Sequence, residues 1–224
     1  MSEDQQVQVN LVPLSGSAFT IDHADQFAEF FFRTNASSVG PKAYDTWVLT
    51  GTTPNRITVD DVAAANRTMA ARTPYKYWTK FTDVDADEPW LAELDPEWDL
   101  FAMPEMEWLR HVVHRSLGEA FKEVMGPYRG PAGTTKVLHI KRPRLIPVCD
   151  SYVAGVMGVR FGDEVKWQDL LRLVMHVRKQ GQANLDALLT IQQRLGKAGV
   201  NRSLVRILDA LLWMRGAENV GGEG

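Results

Sequence analysis

The chain has 224 residues, of which 45% are hydrophobic and 24% charged, and its formal net charge at pH 7 is -3. These values are ordinary for a globular protein; they exclude global disorder and argue against a strongly cationic nucleic-acid binder. Neither an apolar run long enough to span a membrane nor a signal-peptide pattern occurs, so we expect a cytoplasmic protein without a membrane partner.

The N-terminal part begins without helical periodicity. Residues 1–15 are expected to form a flexible arm. The four phenylalanines between His23 and Phe32 predict a helix buried on a wide face, and the apolar piece Tyr44 to Leu49 fits either a strand or a helix. Thr58, followed three residues later by Asp61, predicts an N-cap with a capping box.

The helix that starts after Thr58 is expected to run to about Arg72, before Pro74. An acidic stretch then extends from Thr82 to Asp99 and contains two tryptophans, which predict that it is anchored to the core. From Glu105 the apolar spacing predicts a long helix that ends near Gly126.

Three further helices are predicted in the C-terminal part, over Trp167–Lys179, Ala183–Lys197 and Ser203–Arg215, with Gly181 at a helix end. Residues 218–224 are expected to be a disordered tail. We therefore predict a single all-α domain over residues 16–217, with no internal repeat.

The charge is divided unevenly along the chain. Residues 1–109 contain 7 Lys+Arg and 18 Asp+Glu, a net charge of -11, and residues 110–224 contain 18 and 10, a net charge of +8. A basic half attracts a polyanion such as DNA. Alternatively, the two halves attract each other within the fold.

The most informative stretch runs from Tyr128 to Val153. Its glycines and proline predict a tight turn followed by a helix, whose N-terminal backbone N–H groups would face outward as a phosphate cradle. The predicted DNA-binding residues are Arg129, Gly130, Gly133, Thr134, Lys136, Lys141, Arg142 and Arg144.

This stretch resembles the helix-hairpin-helix motif of the endonuclease-III-like DNA glycosylases. The likeness rests on the glycine-containing turn, on the Val137-Leu138 pair and on the spacing from Leu138 to Asp150. It implies a DNA-glycosylase-like, all-α fold containing a helix-hairpin-helix motif. It also implies DNA as partner and Asp150 as the catalytic carboxylate that stabilises C1′ while the base leaves.

A closer resemblance is to a bacterial family of unknown function and covers most of residues 40–180. The shared residues are Arg56-Ile57-Thr58-x-Asp60-Asp61, Ala65-Asn66 and Lys141-Arg142-Pro143-x-Leu145-Ile146-Pro147-Val148-x-Asp150-Ser151. This likeness implies no activity.

The chain departs from the glycosylase pattern at three points. The first glycine of the hairpin is replaced by Tyr128, the lysine of the lyase members by Ala132, and the iron-sulfur cysteines are absent, since Cys149 is the only cysteine. β-Elimination through that lysine is thereby excluded. Monofunctional hydrolysis with Asp150 as base or counter-ion remains, with no cofactor and no metal expected.

Each of these features also has a structural interpretation. Asp150 followed by Ser151 fits an ordinary N-cap, and Lys141 to Arg144 fits a solvated turn. The tryptophans at 78, 90, 98 and 108 fit either the core or a surface that stacks on an extruded base. The second hypothesis is therefore a non-catalytic interaction module on the same scaffold, which binds a protein partner or forms a homo-oligomer.

Overall fold

The computed structural model describes residues 6–34, 41–50, 53–69, 73–126, 128–161 and 166–221, and this part of the chain is predominantly helical, as predicted. The α-helices are α1 Ala24–Thr34, α2 Pro41–Thr50, α3 Val59–Thr68, α4 Thr79–Thr82, α5 Pro89–Ala92, α6 Glu105–Glu107, α7 Leu117–Val124, α8 Gly130–Lys141, α9 Ser151–Val156, α10 Trp167–Ala183, α11 Leu185–Lys197 and α12 Leu204–Gly221. A π-helical segment, Trp108–Ser116, joins α6 to α7, and a 3-10 turn, Tyr75–Tyr77, precedes α4.

A short antiparallel hairpin precedes the helices. It consists of β1 (Val9–Leu11) and β2 (Phe19–Ile21), paired so that Val9 faces Ile21. Val9 and Leu11 are fully buried. The prediction of a flexible arm over residues 1–15 is therefore wrong for the described part, because alternate strand residues enter the core. Residues 1–5 lie outside the described residues.

The local signals of the first helices are confirmed. The apolar piece between Tyr44 and Leu49 belongs to the helix α2. Thr58 caps α3, with both bonds of the capping box to Asp61 formed. α3 ends at Thr68, and the end expected near Arg72 lies outside the described residues.

Two predicted boundaries in the C-terminal part are wrong. Gly181 lies inside α10, and its lack of a side chain makes room for the buried ring of Phe101, 2.2 Å from where a Cβ would stand. Helix α12 continues to Gly221, so residues 218–221 are helical, whereas residues 222–224 lie outside the described part.

The segment predicted as a turn followed by a helix has that order. α7 ends at Val124, and α8 begins at Gly130, whose φ of 59° lies in the left-handed region that favours glycine. Tyr128 is exposed, as predicted for the turn, but Gly133 is buried because Thr73 lies against it. The glycosylase-like arrangement itself stays a prediction.

The buried side chains form one contiguous cluster. Trp78, Trp90 and Trp108 belong to it and Trp98 packs against it, so these tryptophans are core residues. Within this packing, α9 contacts α12 while α2 and α3 contact α8. Helices α1, α8, α9 and α12 contribute most of the residues described next.

Candidate functional site

Asp150 is the N-cap of α9. Its Oδ1 accepts hydrogen bonds from the backbone N–H groups of Tyr152, at 3.0 Å, and Val153, at 3.2 Å. The preceding chain is held by two side chains: Asp209 Oδ2 accepts from Val148 N, and Thr135 Oγ1 accepts from Cys149 N, both at 3.0 Å. The capping interpretation is therefore confirmed, and it uses one of the two carboxylate oxygens.

The other oxygen of Asp150 faces an ammonium group. Its Oδ2 lies 3.7 Å from Lys136 Nζ, and both side chains are about nine-tenths buried. Lys136 Nζ also donates to the carbonyl oxygen of Met69 at 2.7 Å. Burial lowers the pKa of Lys136, and the nearby carboxylate of Asp150 acts in the opposite direction. The buried pair therefore holds an amine and a carboxylate side by side.

This pair lies in the wall of a cavity of about 790 Å³. The volume is within the range of small-molecule sites, and most of the lining is apolar. Five aromatic side chains line it: Phe30, Phe31, Tyr152, Phe161 and Trp213. Its polar lining residues are Lys136, Asp150, Ser151, Arg206 and Asp209. A cavity lined by aromatic rings and several charged side chains suits a ligand that has ring surfaces and polar groups.

A buried ionic network supports the floor of this cavity. Arg206 Nε donates to Asp45 Oδ1 at 2.8 Å, and its Nη1 donates to Asp209 Oδ1. Burial alone would lower the pKa of Arg206, but the carboxylates of Asp209 and Asp45 more than offset this effect and raise it. Burial raises the pKa of Asp209 to about 7, against the opposing effects of Arg206 and the Val148 N–H.

His139 lies in the core next to this network. Its Nδ1 is 2.6 Å from the carbonyl oxygen of Ile146, and its ring stacks on that of Tyr44. Burial, reinforced by the charge of Arg206, lowers the pKa of His139 to about 4. The imidazole is therefore neutral at pH 7, so that Nδ1 carries the proton donated to the carbonyl group.

The expected phosphate clamp is corrected by the structure. Lys141 and Arg142 are buried: Lys141 pairs with Asp61 and donates to Thr53 O at 3.0 Å. Arg142 donates to the carbonyl oxygens of four residues, Pro54, Leu91, Leu94 and Lys141, and to the side chain of Asn55. These two side chains cannot contact an external phosphate in this conformation.

Other predicted DNA-binding residues are also engaged within the fold. Thr134 and Lys136 are buried, and half-buried Arg129 donates to the carbonyl oxygens of Val124 and Tyr77. Arg144 remains about half exposed but pairs with Glu97. Of the predicted set, the structure brings Lys136 to Asp150 and leaves Gly130, at the start of α8, partly accessible.

The uneven charge distribution corresponds to ion pairs inside the molecule. Five buried or half-buried cations of the second half pair with acids of the first half. These pairs are Lys141–Asp61, Arg178–Glu105, Arg194–Asp25, Arg202–Asp45 and Arg206–Asp45. The alternative that the two halves attract each other therefore describes the fold.

Sequence reasoning missed the contribution of α12. Arg206 and Asp209 lie in the apolar run Leu204–Trp213, where charged residues three apart are unusual for a buried helix. This signal marked a buried ion pair, but it gave no indication that the helix lines a cavity with Asp150.

The chain matches a protein family of unknown function, DUF6308, over residues 23–216. It belongs to this family. Comparison with curated proteins and with solved structures finds no match. In the described part of the chain, no helix is long and apolar enough to cross a membrane, and no three His, Cys, Asp or Glu residues are grouped to hold a metal ion. His111 and His114 are three residues apart, a spacing that would place two possible metal ligands on one helical face, but their side chains lie outside that description.

Proposed function

We propose that this family member binds nucleic acid through a helix-hairpin-helix scaffold and hydrolyses the N-glycosidic bond of a nucleotide whose base enters the cavity beside Asp150. The observation that carries the proposal is the position of Asp150. One oxygen is fixed by the N-terminus of α9, and the other lies beside Lys136 at the edge of an aromatic cavity. A base removed from a helical stack needs such a flat apolar surface to stack against.

In the proposed reaction the C1′–N bond breaks, and its electron pair leaves with the base. The carboxylate of Asp150 stabilises the positive charge that develops on the sugar, as carboxylates do in glycoside hydrolysis. Water then adds to C1′ and gives up a proton, which balances the proton taken up by the departing base. Lys136 Nζ lies 3.7 Å from Asp150 Oδ2 and so helps to position this carboxylate in the cavity wall.

Two exposed arginines lie next to cavity-lining residues in the sequence. Arg67 is two residues from Met69, and Arg160 is next to Phe161, with Met69 and Phe161 both in the cavity lining. Neither arginine forms an ion pair within the described residues. They are the cations that we assign to phosphate contacts in place of Lys141 and Arg142.

The test is single-turnover release of base from duplexes that each carry one uracil, alkylated purine, oxidised guanine or mismatch. We expect release from at least one duplex, and a rate lowered by orders of magnitude in Asp150→Asn with DNA binding retained. Asp99→Asn is the matched control, since Asp99 caps Phe101 N and Ala102 N in the same way outside this cavity. Absence of release from every duplex would refute the hydrolase.

A non-catalytic interaction module is the second candidate, favoured by the burial of Lys141 and Arg142. It predicts no binding of duplex, abasic or single-stranded DNA even at low salt. The proposed nucleic-acid binder instead loses affinity steeply as salt rises, in proportion to the phosphates that it neutralises.

A further inference from the structure

Two tyrosines form an exposed stack on the surface. The rings of Tyr77 and Tyr128 are nearly parallel, with centroids 4.4 Å apart and an interplanar angle of 12°. Tyr128 is 64% exposed, so the ring face turned away from Tyr77 is open to solvent. The ammonium of Lys76 lies 5.0 Å from the centroid of the Tyr77 ring. We call Lys76, Tyr77 and Tyr128 the tyrosine platform.

Arg129 links the two segments of the chain that carry the platform. The guanidinium of Arg129 donates to the carbonyl oxygen of Tyr77 on one segment and to the carbonyl oxygen of Val124, at the end of α7, on the other. The same group lies 5.6 Å from the ring centroid of Trp78 and 5.4 Å from that of Phe81. Since Tyr77 and Tyr128 belong to the two segments that Arg129 connects, the stack is organised before any ligand binds.

The surroundings of the platform favour an anionic partner. Lys76 is exposed and forms no ion pair with any described residue, and its ammonium lies at the Tyr77 ring, whereas Lys80 pairs with Glu123. An exposed ring stack beside an ammonium group without a carboxylate partner matches the two needs of a single nucleic-acid strand. Its bases stack on aromatic faces, and its phosphates attract cations.

The platform also adjoins the cavity. Tyr128 lies two residues before the start of α8, and the first turn of that helix contributes Pro131 and Ala132 to the cavity lining. A nucleic-acid strand that places one of its nucleotides in the cavity therefore passes close to the platform.

We propose that the tyrosine platform stacks on a nucleobase of the strand whose nucleotide occupies the cavity, so that the protein prefers substrates with an unpaired base beside the reacting nucleotide. This inference rests on the proposed nucleic-acid function. Stacking on a ring face tolerates any base, so the platform adds affinity without sequence specificity.

The test compares two fluorescein-labelled probes of equal length in anisotropy titrations, an oligothymidylate and a chain of abasic deoxyribose phosphates. The two probes carry the same phosphates, so only stacking separates them. We expect wild type to prefer the oligothymidylate, and Tyr128→Ala to weaken its binding roughly ten-fold while leaving binding of the abasic probe unchanged. Tyr128→Phe keeps the ring and should bind as wild type does.

Equal loss of both probes in Tyr128→Ala would overturn the inference, because the tyrosine would then act through folding or the phosphates. Equal binding of both probes by wild type would overturn it as well. If base release depends on Asp150 but Tyr128→Ala binds both probes as wild type does, the proposed function stands and only the inference about the platform is overturned. Base-dependent binding without any release would support the platform and refute the hydrolase.

Discussion

The interaction between Asp150 and Lys136 allows a quantitative test of the site. Asp150→Asn keeps an oxygen that accepts from Tyr152 N and Val153 N, so the cap is retained. The substitution removes the charge 3.7 Å from the buried ammonium of Lys136, which then keeps the carbonyl oxygen of Met69 as acceptor. Removing the charged partner of a buried group typically lowers the free energy of unfolding by about 1–3 kcal/mol, and breaking a tight buried ion pair lowers it by more.

Because the separation exceeds a direct hydrogen bond and Met69 O remains, we expect Asp150→Asn to lower the free energy of unfolding by about 2 kcal/mol. Capping alone predicts that the free energy of unfolding falls by only a few tenths of a kcal/mol. In a Lys136→Met background the same substitution should cost about 0.5 kcal/mol or less, since no ammonium is left without its partner.

The assay is urea unfolding of the four proteins of this double-mutant cycle, with unchanged m-values as the condition for comparing midpoints. Asp150→Ala is the matched control for the cap and should cost about 1 kcal/mol more than Asp150→Asn. Equal costs of Asp150→Asn in the two backgrounds would refute the interaction with Lys136.

Three further predictions concern the packing around the site. Asp61→Asn leaves the ammonium of Lys141 buried without a counter-charge and should lower the free energy of unfolding by about 3–5 kcal/mol in urea melts; a loss below about 1 kcal/mol would contradict the buried pair. Because the pKa of His139 falls to about 4 in the folded protein, its contribution to stability is present above pH 6.5 and lost as the pH falls towards 4. Relative to His139→Gln, the free energy of unfolding of wild type should therefore fall by about 3 kcal/mol across this pH window. The other titrating groups are the same in both proteins, so their effects cancel in the comparison. Parallel profiles of unfolding free energy against pH would refute the shift. Gly181→Ala should lower the free energy of unfolding by about 1–3 kcal/mol, because its Cβ would overlap the buried ring of Phe101. Gly155→Ala, which has open space around the new Cβ, should leave the thermal unfolding temperature unchanged or raise it.

The charge distribution shows how a sequence average can mislead. An excess of cations after residue 110 suggested a basic surface, but Arg178 and Arg206 are buried against acids of the first half. Such pairs satisfy a charge that would otherwise be costly to bury. The surface left for a polyanion is therefore smaller than the net charge of the second half indicates.

The sequence by itself determined the features that depend on neighbouring residues. The capping box of Thr58 and Asp61 and the N-cap at Asp150 each join atoms no more than three residues apart, so their signals are complete within a short window. Helical periodicity likewise located most of the helices, because the exposure of every third or fourth residue is a local property.

The tertiary structure decided which of these residues meet. Lys141 and its partner Asp61 are 80 residues apart, and nothing near Lys141 in the chain distinguishes a buried ammonium from a solvated one. Gly181 is read locally as a helix end, but the ring of Phe101, from another part of the chain, makes it an interior contact. The cavity beside Asp150 arises in the same way, because its lining residues come from α1, α8, α9 and α12, which lie far apart in the chain.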